Sequence, residues 1–157
     1  MIELQRAAPA DFPEVWDFYG RLIDGMEGLK CRPGWKKGIY PSEDFLRASL
    51  ERGELYTAWL DGTLAGTMVM NHTCTPGYET IPWAVDAGPE EVSIVHAPGV
   101  SPDFQGKGVA GQMVREAVRL ARAAGQRALR LDVLSGNLPA QKLYTAAGFQ
   151  YRGTVKL

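Results

Sequence analysis

Two places in the chain carry residue types whose spacing could do chemistry. The stretch Val100–Gly111, VSPDFQGKGVAG, sets Gly106, Gly108, Ala110 and Gly111 where an amphipathic helix begins. Glycine inside a helix costs roughly 1 kcal/mol relative to alanine, so these glycines must serve another purpose. Backbone N–H groups at a helix start lack intrahelical acceptors, and the helix dipole adds positive character there. Together they make an anion site whose usual occupant is phosphate. Small residues would let a pyrophosphate approach the backbone; the other reading is a helix start packed tightly on a neighbour, with glycine for clearance. The second place is His96, in EEVSIVHAPGV, sharing a face with Ile94 and Val100 under strict alternation. A side chain titrating near neutrality suits a base or proton relay, and equally a hydrogen-bonded core residue.

These residues need elements to position them. IELQRA (2–7) alternates as a short strand, and 8–26 follows as a helix with Pro9 and Asp11 at its start. Residues 27–41 read as loop. Residues 41–53 read as a helix capped by Ser42, with Glu43 and Asp44 in its first turn and Gly53 past its end. Two apolar runs within 54–71 meet at Asp61-Gly62, a strong hairpin signal. Residues 72–89 lack periodicity, 90–100 form a strand apolar on both faces, and the helix from Lys107 closes at Gly125. A strand (128–134), a short helix ending at Gly148 and a final strand (149–157) complete the order β-α-α-β-β-β-α-β-α-β. That order predicts an α/β fold: a mixed, mostly antiparallel twisted sheet with helices on both faces, in one domain spanning 1–157.

Composition narrows the function. The chain has 157 residues, 45% hydrophobic and 22% charged, with a formal net charge of −1. No excess of either charge points to a nucleic-acid or membrane partner. No apolar run is long enough to span a bilayer, and the N-terminus lacks a signal-peptide core. Cys31 and Cys74 have no Cys or His at ligand spacing, so no metal is expected, and reduced thiols fit a cytoplasmic protein. The glycines match neither familiar phosphate loop. There is no Gly-Lys-Ser/Thr, and the glycine turn comes too late in the chain for a dinucleotide fingerprint.

VSPDFQGKGVAG resembles the Q/R-x-x-G-x-G/A signature of the GNAT superfamily of acetyl-CoA-dependent N-acetyltransferases, preceded by V-x-P. NLPAQKLYTAAGF (137–149) is similar to that superfamily's second block, N-x-x-A-x-x-L-Y-x-x-x-G-F, in the right order and separation. The likeness spans about residues 2–157, with 20–90 matching only in element order. It implies that the backbone of Gln105, Gly106, Lys107, Gly108, Val109, Ala110 and Gly111 binds the pyrophosphate of acetyl-CoA. It further implies that Pro98, Gly99 and Val100 contact the pantetheine arm through backbone groups, and that Asn137 holds that arm or caps the following helix.

Acetyl transfer to an amine needs a neutral nucleophile, donors for the oxyanion and a proton for the departing thiolate. By the same resemblance Tyr144 is the acid facing the thioester sulfur, and the base is His96 or a chain of waters. Tyr144 also falls on an apolar stripe with Ala140, Leu143 and Ala147, where it would be core. The implied reaction moves acetyl from acetyl-CoA to a primary amine by direct attack in a ternary complex, the acceptor being a small molecule. A protein or peptide acetyltransferase and a non-catalytic acyl-CoA-binding module are the alternatives. Trp35, Tyr40, Tyr78, Glu79 and Trp83 are expected to border the acceptor, with Lys30, Arg32, Lys36 and Lys37 as a basic patch or a solvated loop.

Two features depart from the superfamily pattern. Pro98 stands where an aliphatic residue is common; it has no N–H, so strand pairing is expected to end or splay there. The chain carries one strand after the second block instead of two, so the last strand of the usual fold is expected to be absent. Either the final strand then pairs with 128–134, or a second copy fills the gap and makes a homodimer.

Overall fold

The computed structural model describes residues 2, 4–26, 35–134 and 137–154. Five strands lie side by side in chain order: β1 (Leu4–Arg6), β2 (Leu55–Leu60), β3 (Thr63–Asn71), β4 (Val92–Val100) and β5 (Ala128–Arg130). The first four pair antiparallel, and β5 joins β4 in parallel. Asp61 and Gly62 turn β2 into β3 with φ of +51° and +76°, the left-handed pair that a two-residue hairpin requires.

Two helices cover one face of the sheet. Helix α1 (Phe12–Met26) repeats Phe12, Val15, Phe18, Tyr19 and Leu22 along one stripe, and all five are buried. Helix α2 (Glu43–Glu51) begins where the Ser42 hydroxyl accepts the Phe45 N–H at 3.1 Å, and it buries Leu46 against the same face. Helix α3 (Val109–Ala123) lies on the opposite face, burying Val109, Met113 and Ala117 against Met68 and Val95. Helix α4 (Leu138–Ala146) packs beside it with no fully buried residue, so the β5–α4 end is the more loosely held. None of the helices among the described residues is long and apolar enough to cross a membrane.

Strand β4 holds the main departure from simple alternation. Thr67 faces Gly99 and Val69 faces His96, so Ala97 and Pro98 together oppose Met68 in a β-bulge. Ala97 adopts φ +51°, uncommon for a residue with a Cβ, and the buried Tyr19 hydroxyl donates to its carbonyl at 2.7 Å. The extra residue reverses the strand's parity. Ala97 packs with α1, and a Cβ on Gly99 would meet Leu22 Cδ2 at 2.5 Å, whereas Pro98 and Val100 turn to the α3 side. His96 and Val100 therefore do not share a face, contrary to alternation. Pairing with β3 does not end at Pro98 but resumes at Gly99; it is β5 that leaves β4, after Ile94 and Arg130.

The C-terminal expectations need correction. The strand predicted over 128–134 stops at Arg130, and no strand forms over 149–154; residues 155–157 lie outside the described set. The final segment does not pair with β5. Arg152 instead donates twice to the Pro82 carbonyl, at 3.1 and 2.8 Å, and Gly153 runs against Ile81. The edge that β5 offers is only three residues long, so it provides few ladder bonds to recruit a further strand.

Candidate active site

Gly106 and Gly108 have φ of +80° and +77°, and a Cβ added to either would meet no atom within 4 Å. The glycines thus do not serve packing clearance; they allow a left-handed backbone that turns the chain into α3. The result is a row of donors. Among the described residues, the N–H groups of Gly106, Gly108, Val109, Ala110 and Gly111 have no protein acceptor, and the first helical bond at this end runs from Gln112 to Gly108. Gln105 and Lys107 bond back to Pro102 and Phe104 at 3.4 Å, and the Lys107 ammonium rests over the Phe104 ring.

Beyond Ile94 the separation of β4 from β5 leaves a narrow apolar crevice of about 10 Å³ on the α3 face. Pro98, Leu131, Tyr144 and Phe149 line it with Met68 and Val95. The Tyr144 ring stands edge-on to Phe149 at 5.7 Å. Its hydroxyl has no hydrogen-bond partner among the described residues, and burial pushes its pKa up to about 12. A hydroxyl so placed stays protonated at every ordinary pH. Asn137 caps α4, its side-chain oxygen accepting the Ala140 N–H at 3.4 Å.

His96 lies on the other face, half-buried, with its ring edge-on to Phe45 of α2 at 6.3 Å. Its Nε2 is 2.9 Å from Asn71 Oδ1 and 3.0 Å from the Thr73 carbonyl. Burial holds its pKa below the usual histidine value, partly opposed by the Thr73 carbonyl, Asp132 and Glu54. Asp132 accepts from Thr75 Oγ1 and from the Tyr78 hydroxyl, each at 2.8 Å. Asn71, Thr73 and Asp132 escaped the sequence reading. An acid inside the apolar run ALRLDVL was the one signal available; the register that sets Asn71 beside His96 has none.

The five residues expected around an acceptor fall into two groups. Tyr40 stacks on Phe45 beside His96, and Trp35 packs edge-on to Tyr19. Tyr78, Glu79 and Trp83 share one turn, tied to the end of β5 by the Tyr78 hydroxyl on Asp132. Glu79 accepts the Gly77 N–H, the Trp83 indole donates to the Tyr78 carbonyl, and Arg130 covers the Trp83 ring. Tyr78 is buried, so its ring offers no surface to a ligand. Lys37 pairs with Asp24 at 2.9 Å; Lys30, Cys31 and Arg32 lie outside the described residues. No cluster of metal-ligating side chains occurs among the described residues.

Residues 22–149 match the acetyltransferase (GNAT) family, to which the chain belongs. The uncharacterized N-acetyltransferase YvbK of Bacillus subtilis is 31% identical over 110 residues, 70% of this chain and 61% of YvbK. The match thus spans less than two thirds of that relative's length. In fold the chain is similar to a GNAT-family acetyltransferase from Streptococcus agalactiae, with TM-score 0.81, 18% identity and coverage of 97% and 87% of the two chains. It is also similar to the acetyltransferase AAC(6')-Iy in complex with a bisubstrate analogue, CoA-S-monomethyl-acetylneamine. There the TM-score is 0.69, the identity 20% and the coverage 100% and 96%.

Proposed function

We propose that this protein transfers an acetyl group from acetyl-CoA to a primary amine of a small molecule, by direct attack in a ternary complex, and that the whole chain is one acetyltransferase domain. The unpaired N–H groups of Gly106, Gly108, Val109, Ala110 and Gly111 carry this reading, because they supply several charge-assisted bonds to a pyrophosphate. Gln105, Lys107 and Asn137 flank the path, and the backbone of Pro98, Gly99 and Val100 lines it. The β4–β5 separation gives an extended arm a way between the two faces of the sheet. Opening the crevice requires α4 and β5 to draw back, which their light packing favours. Tyr144 gives its proton to the departing thiolate, and His96 takes one from the attacking amine. Tyr40 and Trp35 border the acceptor on the α1–α2 face. AAC(6')-Iy was crystallised with an aminoglycoside-derived bisubstrate, which favours a small amine over a peptide here. The exposed thiol of Cys74 suits a reducing, cytoplasmic setting.

Thiol release from acetyl-CoA, measured against a panel of small amines and peptides, tests the proposal. Turnover with small amines is expected. Turnover with peptides alone would reassign the acceptor, and tight coenzyme A binding without any turnover would make the chain a binding module.

A further inference from the structure

The Nε2 atom of His96 faces two oxygens at once, those of Asn71 at 2.9 Å and Thr73 at 3.0 Å. The Asn71 amide is not free to turn over, because its Oδ1 also accepts the Thr73 N–H at 2.9 Å. Reversing it would set two donors against each other. Both neighbours of Nε2 are therefore acceptors, so Nε2 must carry the proton. A neutral imidazole has only one, and Nδ1 keeps its lone pair. Nδ1 has no hydrogen-bond partner among the described residues.

We propose that Asn71 is a positioning residue that holds His96 in its Nε2–H tautomer, making Nδ1 the atom that accepts the proton lost by the attacking amine as its bond to the acetyl carbon forms. The inference rests on the transfer reaction proposed above. Asn71 suits the task because it is itself fixed: it is 8% exposed, at the end of β3, paired with Ile94. Three charged or titratable groups lie around the ring, each from a different segment of the chain. Asp132 follows β5 and Glu54 precedes β2, both favouring the imidazolium, while Tyr40 reaches the region by stacking on Phe45 of α2.

Nitrogen-15 NMR of the imidazole in the protein without substrates reads the tautomer directly. Above the ring's pKa, Nε2 is expected protonated and Nδ1 bare. Asn71→Asp keeps an acceptor for both bonds and adds a negative charge, so the same tautomer should persist with its titration moved to higher pH. The acidic limb of kcat/KM should move with it. Asn71→Leu removes one of the two acceptors and releases the Thr73 N–H that helps hold the other in place, so it should raise the share of the Nδ1–H tautomer and lower kcat at unchanged KM for acetyl-CoA. A wild-type ring protonated at Nδ1, or an Asn71→Asp titration left in place, would overturn the assignment even if Asn71→Leu failed to fold. A kcat/KM limb that ignored the shifted titration would overturn the role of Nδ1. The tautomer is read without turnover, so failure of the acetyl-transfer reading shows separately, as absent thiol release.

Discussion

Pro98 of β4 and Tyr144 of α4 line the same crevice, on the face of the sheet opposite His96. The bulge at Ala97–Pro98 makes this arrangement, since it turns Pro98 to the α3 side while His96 keeps to the α2 side. Tyr144→Phe preserves the ring's contact with Phe149 and removes only the hydroxyl. An unchanged melting temperature and a turnover reduced by about 100-fold are expected, the scale of a lost proton donor. A full rate, with chemistry limiting, would return Tyr144 to a packing role. Because its pKa is about 12, no alkaline loss of activity below that pH should vanish in this variant.

Gly108 separates backbone conformation from ligand contact. Its φ of +77° penalises any side chain, while its surroundings are open. Gly108→Ala should cost about 1–2 kcal/mol in stability and retain much of the coenzyme A affinity. Gly108→Glu adds a negative charge beside the unpaired N–H groups and should abolish binding in calorimetry. Parent-like affinity in Gly108→Glu would remove the phosphate from this turn.

In the proposed reaction His96 serves as the base and must be neutral to do so, and burial lowers its pKa. The activity limb it governs should therefore lie below the ordinary histidine value, with kcat/KM rising through it as pH increases. The stability sign follows from the same shift. The unfolded chain binds the proton more readily, so the His96 contribution is complete above the unfolded pKa and is lost as pH falls toward the folded one. His96→Ala should remove that activity limb and flatten the melting temperature across the same window. Persistence of the limb would exclude His96 as its source.

Gly99 tests the packing behind the bulge. An added methyl would stand 2.5 Å from Leu22 Cδ2 and 3.5 Å from Phe18 and Trp35. Gly99→Ala is expected to destabilise the protein by about 1–3 kcal/mol through overpacking, seen as a lower midpoint in urea with an unchanged slope.

Among the described residues β5 is paired only on its β4 side, and Leu134 and Leu138 nearby are 53% and 59% exposed. An open strand edge next to apolar side chains favours association, so a dimer built along β5 is expected in light scattering. A monomer at high concentration would contradict it.

Features that depend on neighbours along the chain are legible in the residues alone. Periodicity located the helices, Asp61-Gly62 located the hairpin, Ser42 located a cap, and the glycines of VSPDFQGKGVAG located the donor row. These are local because turns, caps and amphipathic stripes are set by residues a few positions apart. Features that depend on strand register emerge only once the sheet is assembled. One extra residue at Ala97–Pro98 reversed the parity of β4, parted His96 from Val100 and turned Pro98 toward Tyr144. Asn71 and Asp132 reach the surroundings of His96 from separate strands, and nothing in their own segments announces it. The end of the chain misled for the same reason. FQYRGT (149–154) has the composition of a strand, yet a strand exists only where a partner edge meets it, and Arg152 binds the Pro82 carbonyl instead.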